Sequence, residues 1–300
     1  MVDDLPMDTS QLLFHFNEDL LAYAGRYRHD EDVHLHCHSF VEIAFVIGGR
    51  AVHRSRTGDM AVAPGDVILL RPGVWHGYQE CAGLTLFNCC FSSELMRDEL
   101  AWTREDPMLG YLLWTGPYSA AGHGILTLRL NAGPLNECRF HLDALAATRH
   151  CPAGPYRGDI VGRLACLFSA LGRAAAGSRA ATYPAETSSP AVGQAIRLLE
   201  DKLADSWTVG SLADELHLAP GYLARLFKDA TGLPPMAYLA RLRAEQAAGL
   251  LLHSQHPVAS IGRAVGWPDQ NYFARRFRAH FGLSPSTYRT RFSASVGGDP

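Results

Sequence analysis

The sequence predicts an α+β chain of two domains: a β-barrel with flanking helices, then an all-α domain built from two helix-turn-helix units. Three observations predict it. Residues 33–91 break into short β-runs separated by Gly and Pro. Beyond residue 190 one helical pattern occurs twice, about fifty residues apart. Between these parts "AAAGSRAATYPAETSSP", residues 174–190, is small, polar and broken by two prolines, the composition of a linker. The expected division is therefore 1–173, a linker at 174–190, and 191–292.

Composition narrows the class. With 47% hydrophobic and 19% charged residues, the 300-residue chain is globular and has room for two domains. No uncharged apolar run reaches the roughly 18 residues that span a bilayer, so no membrane partner is expected. The start, "MVDDLPMDTSQLLFHF", is acidic and lacks the basic opening of a secretory signal. A cytoplasmic protein is expected, its seven cysteines, an odd number, present as thiols. The net charge of −3 is unevenly spread: residues 188–300 hold 12 Lys+Arg against 9 Asp+Glu, so the excess of acid lies in the N-terminal part. A basic C-terminal part permits nucleic-acid binding without establishing it.

The β-runs are "EIAFVIGG", "RAVHRSR", "GDVILL" and "LTLFNCCF". Just before and into the first stands "HLHCHSFVE". In a continuous strand side chains alternate, so His34, His36, His38 and Glu42 share one face and Cys37 takes the other. If that face points inward, two uses compete: hydrogen bonding to a polar ligand, or direct ligation of a divalent metal by His36, His38, Glu42 and His76. If it points to solvent, the histidines have no role. Arg50, His53, Trp75 and Tyr78 are further candidates to line a sugar-sized pocket, where aromatic rings stack and polar groups orient. Cys89–Cys90 and Cys37 allow a redox-sensing reading beside the commoner one of small buried thiols. Residues 134–175 read as helical from the three-to-four spacing of apolar residues in "LNECRFHLDALAAT" and "YRGDIVGRLACLFSALGRAA".

The repeat pairs Tyr222 with Tyr272, Arg225 with Arg275, Phe227 with Phe277, Lys228 with Arg278, Gly232 with Gly282 and Tyr238 with Tyr288, all at an offset of 50. Upstream the offset is 49, pairing Leu212 with Ile261, so the second turn holds one extra residue. Each copy reads helix, tight turn, helix, with Gly232 a C-cap. Helical spacing puts Leu223, Leu226 and Phe227 of one copy, and Phe273, Phe277 and Phe281 of the other, inward. Arg225, Lys228, Arg275 and Arg278 then face outward, as a helix-turn-helix presents cations to a major groove.

"LADELHLAPGYLARLFKDATGLPPMAYLARLRAEQAAGLL" and "IGRAVGWPDQNYFARRFRAHFGLSPSTYR" resemble the DNA-binding domain of the AraC/XylS family of bacterial transcription regulators, over residues 192–292. The resemblance implies that Gly221, Tyr222, Ala224 and Arg225 open the first recognition helix, and that Gln270, Asn271 and Arg275 open the second. Gly221 and Ala224 have no side-chain donor or acceptor, so Arg225 carries the first helix's base reading. Lys228, Arg276 and Arg278 are placed as phosphate contacts. Gly262 stands where the family usually has Ala and is expected to weaken its helix slightly.

The N-terminal part resembles the cupin-like sensing domain of sugar-responsive members. His36, His38, Glu42 and Gly49 match the first cupin motif. "GDVILLRPGVWH" resembles the second, with one extra residue before Pro72 and no Asn four residues past His76. The resemblance implies a small-molecule effector from carbohydrate metabolism, double-stranded DNA and RNA polymerase as partners, activation, and a homodimer contact from 134–175. No catalytic Ser-His-Asp spacing, phosphate loop or dinucleotide fingerprint is present, so no enzyme is expected. The alternatives are a metal- or thiol-sensing regulator and a cupin metalloenzyme fused to a DNA reader.

Overall fold

The computed structural model describes residues 21–118, 123–148, 153–177 and 190–292. The chain forms two compact units. One takes residues 1–103 and 125–183; the other takes 104–124 and 184–300. The expected division differs in one respect: residues 104–124, inside the predicted N-terminal domain, belong to the helical unit. Of the predicted linker, residues 178–189 lie outside the described residues, and 174–177 are the end of a helix.

The first unit is an antiparallel sheet of seven strands: β1 (Ala22–His29), β2 (Val33–His36), β3 (Val41–Ser55), β4 (Gly58–Val62), β5 (Asp66–Leu70), β6 (His76–Phe91) and β7 (Ile125–Arg129). They run in the order β1-β6-β3-β5-β7, with β2 on β6 and β4 on β3. Two of the predicted β-runs, "EIAFVIGG" and "RAVHRSR", are a single strand, β3. Conversely, "HLHCHSFVE" is not one strand. β2 ends at His36, the chain bends at Ser39 and Phe40, and β3 begins at Val41.

β3 and β6 pair along most of their length but slip register between Val46 and Val52. There Gly49 has φ +69° and Gly83 has φ +62°. A Cβ on Gly49 would lie 2.0 Å from the Gly83 carbonyl oxygen. Only glycine allows the two backbones to bend together at that distance. The long strands can then bury Ala44, Val46, Leu84 and Leu86 on one face and Ile43, Phe45, Phe87 and Phe91 on the other.

The second face receives the helices α3 (Ala132–Ala146) and α4 (Ala153–Gly177). Phe91 meets Phe168 of α4 edge-on at 5.4 Å, and Arg26 of β1 pairs with Asp143 of α3 at 2.5 Å. By length and composition α4 could cross a membrane, which the sequence reading did not anticipate. Its Leu164, Leu167, Phe168 and Leu171 are buried within this unit, as in a core helix. A short helix, α1 (Ser93–Arg97), capped by Ser92, follows β6.

The helical unit contains α5 (Pro190–Asp201), α6 (Val209–Glu215), α7 (Pro220–Thr231), α8 (Pro235–His253), α9 (Val258–Ala264), α10 (Gln270–Phe281) and α11 (Pro285–Phe292). The predicted cap Gly232 ends α7, and its repeat counterpart Gly282 ends α10, both left-handed. Thr208 and Ser211 form a reciprocal capping box on α6, and Asp269 accepts from the Tyr272 amide at the start of α10.

The turns between the paired helices need a left-handed residue. His217 supplies it in the first copy (φ +53°) and Gly266 in the second (φ +82°). Gly266 is obligatory on a second count, since a Cβ there would stand 2.6 Å from the Ala204 carbonyl oxygen.

Gly262 has a packing reason that the helix-propensity argument missed. A Cβ there would sit 2.8 Å from Cδ1 of the buried Phe273, whose ring stacks on Trp267. Gly262→Ala is therefore expected to destabilise the helical unit. Crowding a packed core costs about 1–3 kcal/mol, against a gain of about 1 kcal/mol in helix propensity. A thermal melt that rises for Gly262→Ala would contradict this.

Residues 104–118 run across the helical unit as a strap of short turns. These are α2 (Pro107–Leu109), capped by Asp106, then a π-turn over Gly110–Thr115 and a 3-10 turn over Gly116–Tyr118. Tyr118 ends inside the core that contains Leu212, Leu223, Phe227 and Tyr238.

Candidate functional site

Two places in the described residues have functional chemistry, one in each unit.

The first is the outer surface of α7 and α10. Their twelve positions follow the same order of exposed, half-buried and buried, residue for residue. Leu223, Phe227 and Thr231 anchor α7; Phe273, Phe277 and Phe281 anchor α10. Gly221, Tyr222, Arg225 and Lys228 are exposed, as are Gln270, Asn271, Arg275 and Arg278. Arg276 departs from expectation. It matches Leu226 and is half-buried, which leaves it less available than Arg278 for a phosphate. Each helix also stacks the arginine that the sequence assigns to base reading on an exposed tyrosine three residues earlier. Arg225 lies 5.8 Å from the Tyr222 ring centroid and Arg275 lies 5.3 Å from that of Tyr272. A guanidinium resting on an aromatic face is partly pre-organised before it meets a base edge.

The second place is a cavity of about 150 Å³ in the sheet unit, lined by Tyr27, His29, Val33, His36, His38, Phe40, Glu42, His76, Tyr78, Leu86, Asn88 and Cys90. β1, β3 and β6 supply most of it. Glu42 lies directly across from Cys90, and Tyr27 across from Leu86. The bend at Ser39–Phe40 brings His38 back over Glu42, with Nε2 and Oε2 2.7 Å apart. His76 Nε2 stands 3.7 Å from the same oxygen.

Backbone carbonyls orient the rings. His36 Nδ1 donates to His34 O and His38 Nδ1 to Phe40 O, each at 2.9 Å. A carbonyl only accepts, so those Nδ1 atoms carry the protons and the Nε2 atoms are the ones available to a partner. With its proton on Nδ1, His38 Nε2 has none to donate to Glu42 and is buried without a hydrogen-bond partner. The hydroxyls of Tyr27 and Tyr78 and Oδ1 of Asn88 are likewise buried without a hydrogen-bond partner.

Burial pushes the His36 imidazolium below its ordinary range. Burial, reinforced by the neighbouring histidines, pushes His76 well below. Burial would raise Glu42, but its contact with the His38 side chain and its attraction to the imidazoles of His38, His36 and His53 outweigh that and hold the carboxyl low. The site thus combines an ionised carboxylate with neutral imidazoles at positions 36 and 76.

Not every predicted pocket residue arrives there. His53 is buried behind it, its ring 5.8 Å from His76 and 5.2 Å from Tyr78, and burial lowers its pKa to about 4. Arg50 is exposed on the bulged part of β3 and Trp75 is half-buried; neither lines the cavity. His34 is exposed: β2 is irregular between Val33 and His36, and those two residues line the cavity while His34 does not. Tyr27, His29, Phe40, Leu86, Asn88 and Cys90 were missed. Strand alternation could have found Asn88 and Cys90, which fall on the same parity of β6 as His76 and Tyr78.

Of the four predicted metal ligands, three converge. One donor atom each from His38, Glu42 and His76 lies within 4.8 Å of the other two. His36 is outside that trio, its ring 4.3 Å from that of His76. Two imidazoles and a carboxylate, one of the nitrogens orphaned in a buried site, are a donor set that fits a divalent first-row metal. The cysteines fit sensing poorly. Cys89 and Cys90 are buried and burial raises both thiols, which removes the thiolate that redox chemistry needs.

Known families match both regions of the chain. Residues 19–129 match the family model of an AraC-like ligand binding domain, and residues 212–291 that of a helix-turn-helix domain. The HTH-type transcriptional activator RhaS of Escherichia fergusonii is 28% identical over 261 residues, covering 87% of this chain and 89% of that protein. The RCS-specific HTH-type transcriptional activator RclR of Escherichia coli is 34% identical over 102 residues, 34% of this chain and 36% of its own. In fold, the chain resembles ToxT from Vibrio cholerae with a TM-score of 0.53 and 13% identity, over 91% of this chain and all of that one. The repeated reading helices and the ligand-binding sheet are the two halves of one protein class, and the chain belongs to the AraC family of transcription regulators.

Proposed function

We propose that the chain is a cytoplasmic transcriptional activator whose effector is a small polar molecule of monosaccharide size, held in the cavity between β1, β3 and β6. One observation carries this reading. Tyr27, Tyr78 and Asn88 each carry a buried polar atom without a hydrogen-bond partner, and all three line a cavity that also holds Glu42. A buried polar group left unsatisfied costs about 1–3 kcal/mol, so these are groups that a bound ligand would satisfy. A cavity of about 150 Å³ suits a six-membered ring. The similarity to RhaS and the cupin-like motifs support a link to carbohydrate metabolism. A homodimer is supported by Phe140 of α3, which is 70% exposed on the helix pair expected to make that contact.

A second reading is favoured by the convergence of His38, Glu42 and His76. In it a divalent metal is held by these three side chains and supplies a positive centre to orient the effector. The backbone carbonyls behind His38 (Phe40 O, 2.9 Å) and His76 (Val74 O, 3.5 Å) favour the tautomers that such a role requires.

One preparation tests both. Full-length protein purified without chelator or affinity-tag metal is analysed for elements and, after denaturation, for released small molecules. A copurified polyol lost in Asn88→Leu is the expected result. Near-stoichiometric metal that disappears in His38→Ala and His76→Ala would establish the second reading. A preparation holding neither, with no thermal shift from a panel of monosaccharides or divalent cations, would refute the effector assignment.

A further inference from the structure

α8 joins the two helix-turn-helix units, so its setting decides how far apart and at what angle α7 and α10 meet DNA. Only Gln246 and His253 of α8 are exposed, and the polar groups of its buried side chains fix it at two anchors. Arg243 is one. It donates to Leu203 O at 2.8 Å, Asp205 O at 2.6 Å and Gly266 O at 3.0 Å, which ties α8 to the connection after α5 and to the turn before α10. The other anchor comes from the strap.

Tyr118 is fully buried and its hydroxyl donates to Glu245 Oε1 of α8 at 2.7 Å. Arg241 of α8 donates back to the Tyr118 carbonyl. The Tyr118 ring meets Tyr238, in the first turn of α8, edge-on at 5.6 Å. At its other end the strap is fastened to α5. Arg104 pairs with Glu200, both nearly buried, and lays its guanidinium 3.9 Å from the Trp114 ring centroid. A carboxylate as buried as Glu245 needs donors where it stands. The strap therefore does more than cover apolar surface, because it specifies where along and around its axis α8 can rest.

We propose that residues 104–118 position α8 and so fix the spacing between the two recognition helices, with Tyr118 and Glu245 as positioning residues for DNA reading. Adjacent major grooves on one face of a duplex lie about 34 Å apart, one turn of about 10 base pairs. Inserting one base pair between two subsites lengthens the span by about 3.4 Å and rotates one subsite by about 35°. A reader locked by both anchors cannot follow that change; one with a loosened α8 can.

The test uses the full chain and a duplex obtained by selecting from random sequence with the wild-type protein. Affinity is compared between that duplex and one with a single base pair inserted between the two protected subsites. The wild type is expected to lose at least about tenfold. Tyr118→Phe, Glu245→Gln and Arg104→Lys are expected to lose less than about threefold, at the cost of weaker binding to the selected duplex. Glu245→Gln and Arg104→Lys keep most of the side-chain bulk while weakening the charge-assisted contacts that anchor the strap, so the result does not depend on Tyr118→Phe remaining folded; a cooperative thermal melt checks each variant. Folded variants that keep the wild-type penalty, or that lose affinity equally for both duplexes, would overturn the proposal. A merely structural role predicts that equal loss.

Discussion

Arg225→Ala and Arg275→Ala are each expected to cost about 1–3 kcal/mol in binding and to relax base preference only at the subsite their own helix reads. Lys228→Ala and Arg278→Ala should behave differently, weakening all sequences alike and flattening the dependence of affinity on salt. The contrast follows from position. Arg225 and Arg275 stand near the start of α7 and α10, stacked on Tyr222 and Tyr272, while Lys228 and Arg278 lie one turn further along. α10 has Gln270 and Asn271 beside its arginine, whereas α7 has only Gly221 and Ala224. Loss of Arg225 should therefore leave its subsite nearly unread, and loss of Arg275 should leave residual preference. Binding titrations on single-base variants of the selected site, repeated at two salt concentrations, measure all of this. A footprint and base preference unchanged by both arginine substitutions would rule out the reading face.

The second large effect concerns the boundary. From composition alone, residues 188–300 should fold and bind DNA as a separate fragment. That fragment lacks the strap. It leaves Glu245 and Glu200 without Tyr118 and Arg104, and it opens the space the Tyr118 ring fills. Removing a buried aromatic ring costs about 3–5 kcal/mol, a large share of what a domain of this size has in total. The fragment is expected to unfold at markedly lower urea than one in which residues 104–118 are joined ahead of residue 188 by a flexible linker. Equal urea midpoints for the two fragments would show that the strap contributes nothing to folding.

The reading helices were legible in the sequence because helical periodicity is local and the repeat states it twice. Phe227 and Phe277 fall inward by spacing alone, and Gly232 and Gly282 declare the helix ends. The pocket was legible only in part. His36, His38, Glu42, His76 and Tyr78 were found by motif, yet the strand geometry assumed for them fails at Ser39–Phe40, and it is the resulting bend that places His38 against Glu42. Alternation along β3 loses its meaning between Val46 and Val52, where the register slips, and Arg50 and His53 lie at or past that point. The strap left no signal at all. Its turns have neither a helical nor a strand period, and Tyr118 finds its partner 127 residues further on. A pairing of that kind is fixed by tertiary packing, which no local pattern encodes.

The strap also bears on how such regulators can exchange parts. A crossover in the linker would appear to trade one complete sensor for another and leave the reader whole. In this chain it would separate Tyr118 from Glu245 and Arg104 from Glu200, because one member of each pair is encoded upstream of the linker and the other downstream. A hybrid gene made there inherits its reader's core from two parents. Hybrids should function only when both parents supply matching residues at these two pairs, so ancestry at the strap travels with the DNA-reading half even though it is written in the other.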